Sequence, residues 1–115
     1  MSALVFSFGT LRLERVQLAL FGRVVPTQPD TLAGYRLGEV RITDPDVIAA
    51  SGSDVHPGLE HTGRPSDRVD GAVLELDQSQ LAAADHYERV AYRRIGVRLE
   101  SGRDAFVYVP KDIAL

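Results

Sequence analysis

The stretch from Val69 to Glu100 constrains this chain more than any other. Val69–Leu76 carries apolar residues on both of its alternating faces, with Asp70, Ala72, Leu74 and Leu76 on one side and Val69, Gly71, Val73 and Glu75 on the other. That pattern belongs to a strand covered on both sides within a curled sheet. Asp77 then reads as a helix N-cap with Gln80 three residues on, the spacing of a capping box. From there Leu81, Ala84 and Glu88 share one helical face. Ile95, Val97 and Leu99 alternate with Arg94, Gly96, Arg98 and Glu100, a half-buried strand. The order is strand, short helix, strand, with a carboxylate continuing an apolar stripe where the helix ends. Burial there would raise the Glu88 pKa and suit it to moving protons near neutral pH. The plain alternative is a helix that frays before Glu88, leaving it paired with Arg89 or Arg93 in solvent. Asp85, three residues earlier, is expected to face solvent or hold the helix end.

The preceding half of the chain reads as follows. Leu4, Phe6 and Phe8 alternate with Val5 and Ser7 in a first strand with one aromatic, buried face. Gly9-Thr10 breaks it, and Leu13, Val16, Gln17, Leu20 and Phe21 repeat at helical spacing up to a stop at Gly22. A strand, a glycine turn and a helix start in succession gather backbone N–H groups that attract carboxylates or phosphates; alternatively Gly9 only supplies a tight turn. Pro26–Asp30 reads as a linker. Residues 31–43 read as a strand or bent strand pair broken at Gly34 and Gly38, and Asp44-Pro45-Asp46 as a turn. Residues 51–68 read as an irregular surface loop able to close over a site. After Leu99, Ser101–Asp104 is a hairpin connection, and Ala105–Val109 a last antiparallel strand with Phe106 and Tyr108 facing one way. Leu4, Phe6, Val73, Leu74, Ile95, Val97, Leu99 and Val107 are the expected core.

Composition narrows the function. At 115 residues, the expectation is one domain over 1–115. A net charge of −3 offers no attraction to nucleic acid or an anionic membrane, and no aromatic ladder accompanies the arginines. The absence of cysteine excludes disulfides and thiolate chemistry. His56 and His61, with Asp54 and Glu60 nearby, stand four residues apart across Pro57-Gly58, a spacing that matches no common metal motif, so no metal is expected. No stretch has transmembrane length and the amino terminus has no basic leader, which sets a cytoplasmic expectation.

Several segments together resemble the γ-glutamylcyclotransferase-like family, which includes AIG2-like proteins. Phe8-Gly9-Thr10-Leu11-Arg12 resembles the family's Tyr-Gly-Thr-Leu-Arg loop, and Thr31–Leu37 its second-strand segment. His56-Pro57-Gly58-Leu59 is similar to a Tyr-Pro loop, and Val69–Leu76 to the V-x-G strand. Leu81–Glu88 resembles L-x-x-L-D-x-x-E, and Tyr92-x-Arg94 and Phe106–Val109 complete the series. The resemblance implies an α+β fold, a small, predominantly antiparallel β-barrel with flanking short helices. It implies a cofactor-independent enzyme acting on a small γ-glutamyl substrate and releasing 5-oxoproline, with Glu88 as catalytic residue. It assigns Phe8, Gly9, Thr10, Leu11, Arg12 and Tyr108 to substrate binding. Phe8 departs from the motif's Tyr, Ala84 from its Leu, and His56 from its Tyr. A non-catalytic binding or regulatory module on the same fold is the alternative, and the identity of the leaving amine stays open.

Overall fold

The computed structural model describes residues 2–41, 45 and 55–115, with the side chains of 40, 41 and 55–57 left undescribed. β1 (Ser2–Ser7) leads into a single 3-10 turn (Thr10–Arg12) and helix α1 (Glu14–Phe21). Then come β2 (Thr27–Ala33), β3 (Tyr35–Arg41), β4 (Val55–His61) and β5 (Arg68–Asp77). Helix α2 (Gln78–Glu88), β6 (Tyr92–Arg98) and β7 (Asp104–Pro110) complete the chain. Five strands form one sheet in the order β2-β5-β1-β7-β6, and β3 pairs with β4 in a separate ribbon. All pairs are antiparallel except β1 with β7, which run parallel at Val5↔Phe106 and Phe6↔Val107.

Strand alternation sorts the core onto the two faces of this sheet. Phe6, Val69, Val73 and Val107 pack with Tyr35 and Leu59 of the ribbon. Val5, Leu74, Leu76 and Tyr108 pack with Leu11, Leu81 and Ala84 beneath the helices. β5 is thus covered on both sides, as its doubly apolar pattern requires. Of the expected core, Phe6, Val73, Leu74, Leu99 and Val107 are buried. Leu4, Ile95 and Val97 are only partly so. For Ile95 and Val97 the reason is position, since β6 is the edge strand of its sheet among the described residues.

Three expectations are corrected. Pro26–Asp30 is no linker, because β2 begins at Thr27 and Pro29 pairs with Ala72. β2 lies at the sheet edge, where a residue without an N–H can turn its nitrogen to the open side. The supposed loop at 51–68 contains β4, with Pro57 and Gly58 opposite Glu39 and Gly38 in a two-stranded ribbon that tolerates proline for the same reason. A lid is therefore not what Val55–His61 forms. Asp54 and the side chain of His56, like Asp44 and Asp46 of the expected turn, lie outside the described residues. Finally, the sheet is mixed and does not close into a barrel. Its β2 edge meets the β6–β7 turn only at one end, where the Glu100 N–H donates to the Thr31 carbonyl at 2.9 Å and Ser101 Oγ donates to the Asp30 carboxylate. The bent pair expected around Gly34 is present: with φ of +85° that residue ends β2 and sends the chain into the ribbon.

Candidate active site

Helix α2 is set by its cap. Asp77 Oδ1 accepts the Gln80 N–H at 2.7 Å, and Gln80 Oε1 accepts the Asp77 N–H at 2.9 Å. With the start fixed, Leu81 and Ala84 face the sheet, Ala84 completely buried, and Glu88 follows one turn later on the same stripe. The helix does not fray before Glu88. Nor do the neighbouring arginines draw it into solvent: Arg89 Nη1 donates to the His86 carbonyl at 2.6 Å, and Arg93 Nε to the Lys111 carbonyl at 3.2 Å. Burial raises the Glu88 carboxyl from 4.5 to about 7. Its charge reaches two phenols of the sheet. Tyr92 is pushed up to about 12, by burial first and by Glu88 and Tyr87 next. Tyr108 is raised by burial, by its bond to Asp85 and by Glu88.

The glycine turn lies on this same face. Leu11 buries its side chain beside Leu81, Ala84 and Tyr108, so it offers a ligand only backbone. Thr10 Oγ1 and Tyr87 Oη are hydrogen-bonded at 2.9 Å, joining the turn to the residue before Glu88. The turn's own bonds begin with Arg12 N–H to the Gly9 carbonyl at 3.2 Å, so the N–H groups of Thr10 and Leu11 precede that ladder. The Gly9 N–H is used internally, donating to Ser7 Oγ at 3.2 Å. Arg12 is exposed and folds back over the turn, its guanidinium donating to the carbonyls of Phe8 (2.7 Å) and Gly9 (3.3 Å). Phe8 packs with the cluster on the opposite, ribbon-facing side. Of the five loop residues singled out from sequence, Thr10 and Leu11 therefore stand nearest α2, while Phe8 and Arg12 shape the turn.

Gln17 anchors this loop from below. It is 1% exposed, its Nε2 donating to the Leu11 carbonyl at 2.9 Å and its Oε1 accepting the Val25 N–H at 3.1 Å. Gln17→Leu keeps the volume but strands both backbone groups, and is expected to lower stability by about 2 kcal/mol. A denaturant titration with unchanged slope and a reduced midpoint would register it; an unaltered midpoint would mean that water replaces both bonds.

Asp85 keeps its side chain 40% exposed, and it is also tied to the sheet. It accepts a fork from Arg94, Nε to Oδ1 at 2.9 Å and Nη2 to Oδ2 at 3.2 Å, and the Tyr108 hydroxyl donates to Oδ1 at 2.6 Å. The Arg94 guanidinium lies 4.3 Å from the centre of the Phe106 ring. Sequence reasoning missed this group, although the hairpin register sets Arg94 opposite Tyr108 and Asp85 precedes Glu88 by one turn. His86 is exposed. His61 rests on the Tyr35 ring at 4.9 Å between centroids, in the ribbon. Among the described residues no group of three or more histidines and carboxylates is placed to hold a metal, and no helix is long and apolar enough to cross a membrane.

A family model described as gamma-glutamyl cyclotransferase, AIG2-like, matches residues 5–114. Solved structures share the fold. A protein titled gamma-glutamyl cyclotransferase superposes with a TM-score of 0.74 at 17% identity, over 99% of this chain and 69% of its own. An Arabidopsis thaliana protein known from its solution structure gives 0.72 at 22% identity, over 96% of this chain and 62% of its own. An uncharacterized Homo sapiens protein gives 0.71 at 21%, over 98% and 69%. The chain thus spans less than two thirds of the Arabidopsis protein's length. No curated protein matches it.

Proposed function

Since the chain belongs to the gamma-glutamyl cyclotransferase, AIG2-like family, we propose that it catalyses intramolecular aminolysis of a γ-glutamyl amide, releasing 5-oxoproline and an amine or amino acid. The observation that carries this reading is a partly buried carboxyl, Glu88, titrating near 7 on the face that also holds the Gly9–Leu11 turn. The reaction needs no redox or hydride chemistry. The substrate's α-ammonium gives a proton to Glu88, and the freed amine attacks the γ-carbonyl carbon of its own chain. A tetrahedral oxyanion forms, which the Thr10 and Leu11 N–H groups are suited to meet. As the oxyanion collapses, the departing nitrogen takes that proton from Glu88 while its bond to carbon breaks, and Glu88 then accepts the second proton of the ring nitrogen and passes it to the released amine, which leaves as the ammonium. Tyr108 orients the substrate from β7, and the turn holds the chain bent so that amine and carbonyl meet, the larger part of the catalytic task in a cyclisation.

The test is to incubate the protein with a panel of γ-glutamyl dipeptides and γ-glutamyl amines and to quantify 5-oxoproline. Release from at least one class is the expected result, and its kcat/KM should rise with pH along a limb centred near 7, as Glu88 ionises in the free protein. No release from any of them would overturn the catalytic reading. A limb centred near 4.5 would instead mean that the acting carboxyl is not a desolvated one.

A further inference from the structure

The Asp85–Arg94–Tyr108 group has no part in the proton transfers just described, yet it adjoins Glu88. We propose that Asp85 is a positioning residue that fixes the direction of the Tyr108 hydroxyl proton, holding it away from Glu88 so that the phenol oxygen turns lone pairs alone toward the base. A phenol has one proton to donate. At 2.6 Å from Asp85 Oδ1 that proton is committed. Asp85 is held in turn, because Arg94 donates to both of its oxygens at 2.9 and 3.2 Å while stacking over Phe106. Arg94 and Tyr108 are directly opposite on β6 and β7, so the three groups form one hydrogen-bonded unit across a helix and two strands.

The consequence concerns the base. The phenols of Tyr92 on β6 and Tyr108 on β7 feel the charge of Glu88, and the groups acting on those phenols in turn are Tyr87 and Asp85 on its own helix and Arg94 on β6. A phenol proton turned to Glu88 would stabilise the carboxylate and weaken it as a base. With that proton held by Asp85, the upward pull of burial on Glu88 is not offset from Tyr108, and the phenol oxygen can accept from a substrate ammonium. This catalytic consequence rests on the cyclotransferase reading; the direction of the proton does not.

The experiment follows the Glu88 side-chain carboxyl by 13C NMR against pH, without substrate, in the wild type, Asp85→Asn, Tyr108→Phe and the double variant. An asparagine can donate to the phenol oxygen and release its proton toward Glu88. Asp85→Asn should therefore move the Glu88 titration down by about one pH unit, and the acidic limb of kcat/KM should move with it. In the double variant most of that shift should vanish, since no phenol remains, and Tyr108→Phe alone should not lower the titration. An unmoved titration in Asp85→Asn, or a full shift retained in the double variant, would overturn the proposal. If Asp85→Asn does not fold, the Tyr108 hydroxyl proton resonance is compared between the wild type and Glu88→Gln: an unchanged resonance supports the proposal, and its loss refutes it. Because the titration needs no turnover, it can succeed where no 5-oxoproline is released, which separates this inference from the proposed activity.

Discussion

Glu88→Gln is expected to reduce 5-oxoproline release by roughly 10²–10⁴-fold, the span of a general acid–base group, while the protein stays folded and still binds substrate. The substitution keeps size and shape but removes the ability to take a proton from the ammonium. The surroundings favour the change, because burial already keeps this position proton-bearing up to about pH 7, and a neutral amide suits it. That supplies a second readout with a definite sign. The unfolded carboxyl releases its proton near 4.5 and the folded one near 7, so between these values the native state holds a proton that the unfolded chain has lost. Wild-type stability attributable to Glu88 must therefore fall as pH rises from 4.5 to 7 and change no further above that. Glu88→Gln lacks this loss, and its stability relative to the wild type should climb across the same window. Full turnover in the variant would make the carboxyl structural; a flat stability difference would mean that it is not desolvated in the native state.

How far the sequence disclosed this arrangement depended on the kind of signal. The helical phase of residues 77–88 was legible, because a capping box sets it, and that phase carries Glu88 onto the stripe of Leu81 and Ala84 once the helix runs to its end. The doubly apolar β5 was legible for the same reason at period two. Proline and glycine misled wherever they lay on open edges. Pro29 and Pro57 read as loop residues because a proline argues against a central strand, and local sequence does not reveal that a strand is an edge. The bonding of Asp85 was hidden for a different reason. Its partners Arg94 and Tyr108 belong to later strands, so its surroundings follow from strand register and from how α2 packs on β6 and β7. Helical phase carries none of that information. The same holds for Arg12, whose folding back onto two loop carbonyls at the surface is invisible to spacing.

Gly71→Ala should be among the most damaging single substitutions for stability, for a reason that ties β5 to the loop. A β-carbon at Gly71 would overlap the Ser7 carbonyl oxygen and come within 2.8 Å of the Phe6 ring. A ring can shift by rotation, but a backbone oxygen moves only if the chain moves. Ser7 is the last residue of β1 and its Oγ accepts the Gly9 N–H, so displacement there is passed directly to the turn beside α2. The expected cost is ~3 kcal/mol, the upper part of the range for an overpacked core, lowering the melting temperature by about 10 °C. Gly96→Ala on β6 is the matched control, because nothing lies within 4 Å of its added carbon and its φ is not positive. It should leave stability within about 0.5 kcal/mol of the wild type. Thermal melts of both variants decide the matter. Equal melting temperatures would mean that β1 and β5 can separate at Ser7 without cost, and that the loop is not held by their close approach.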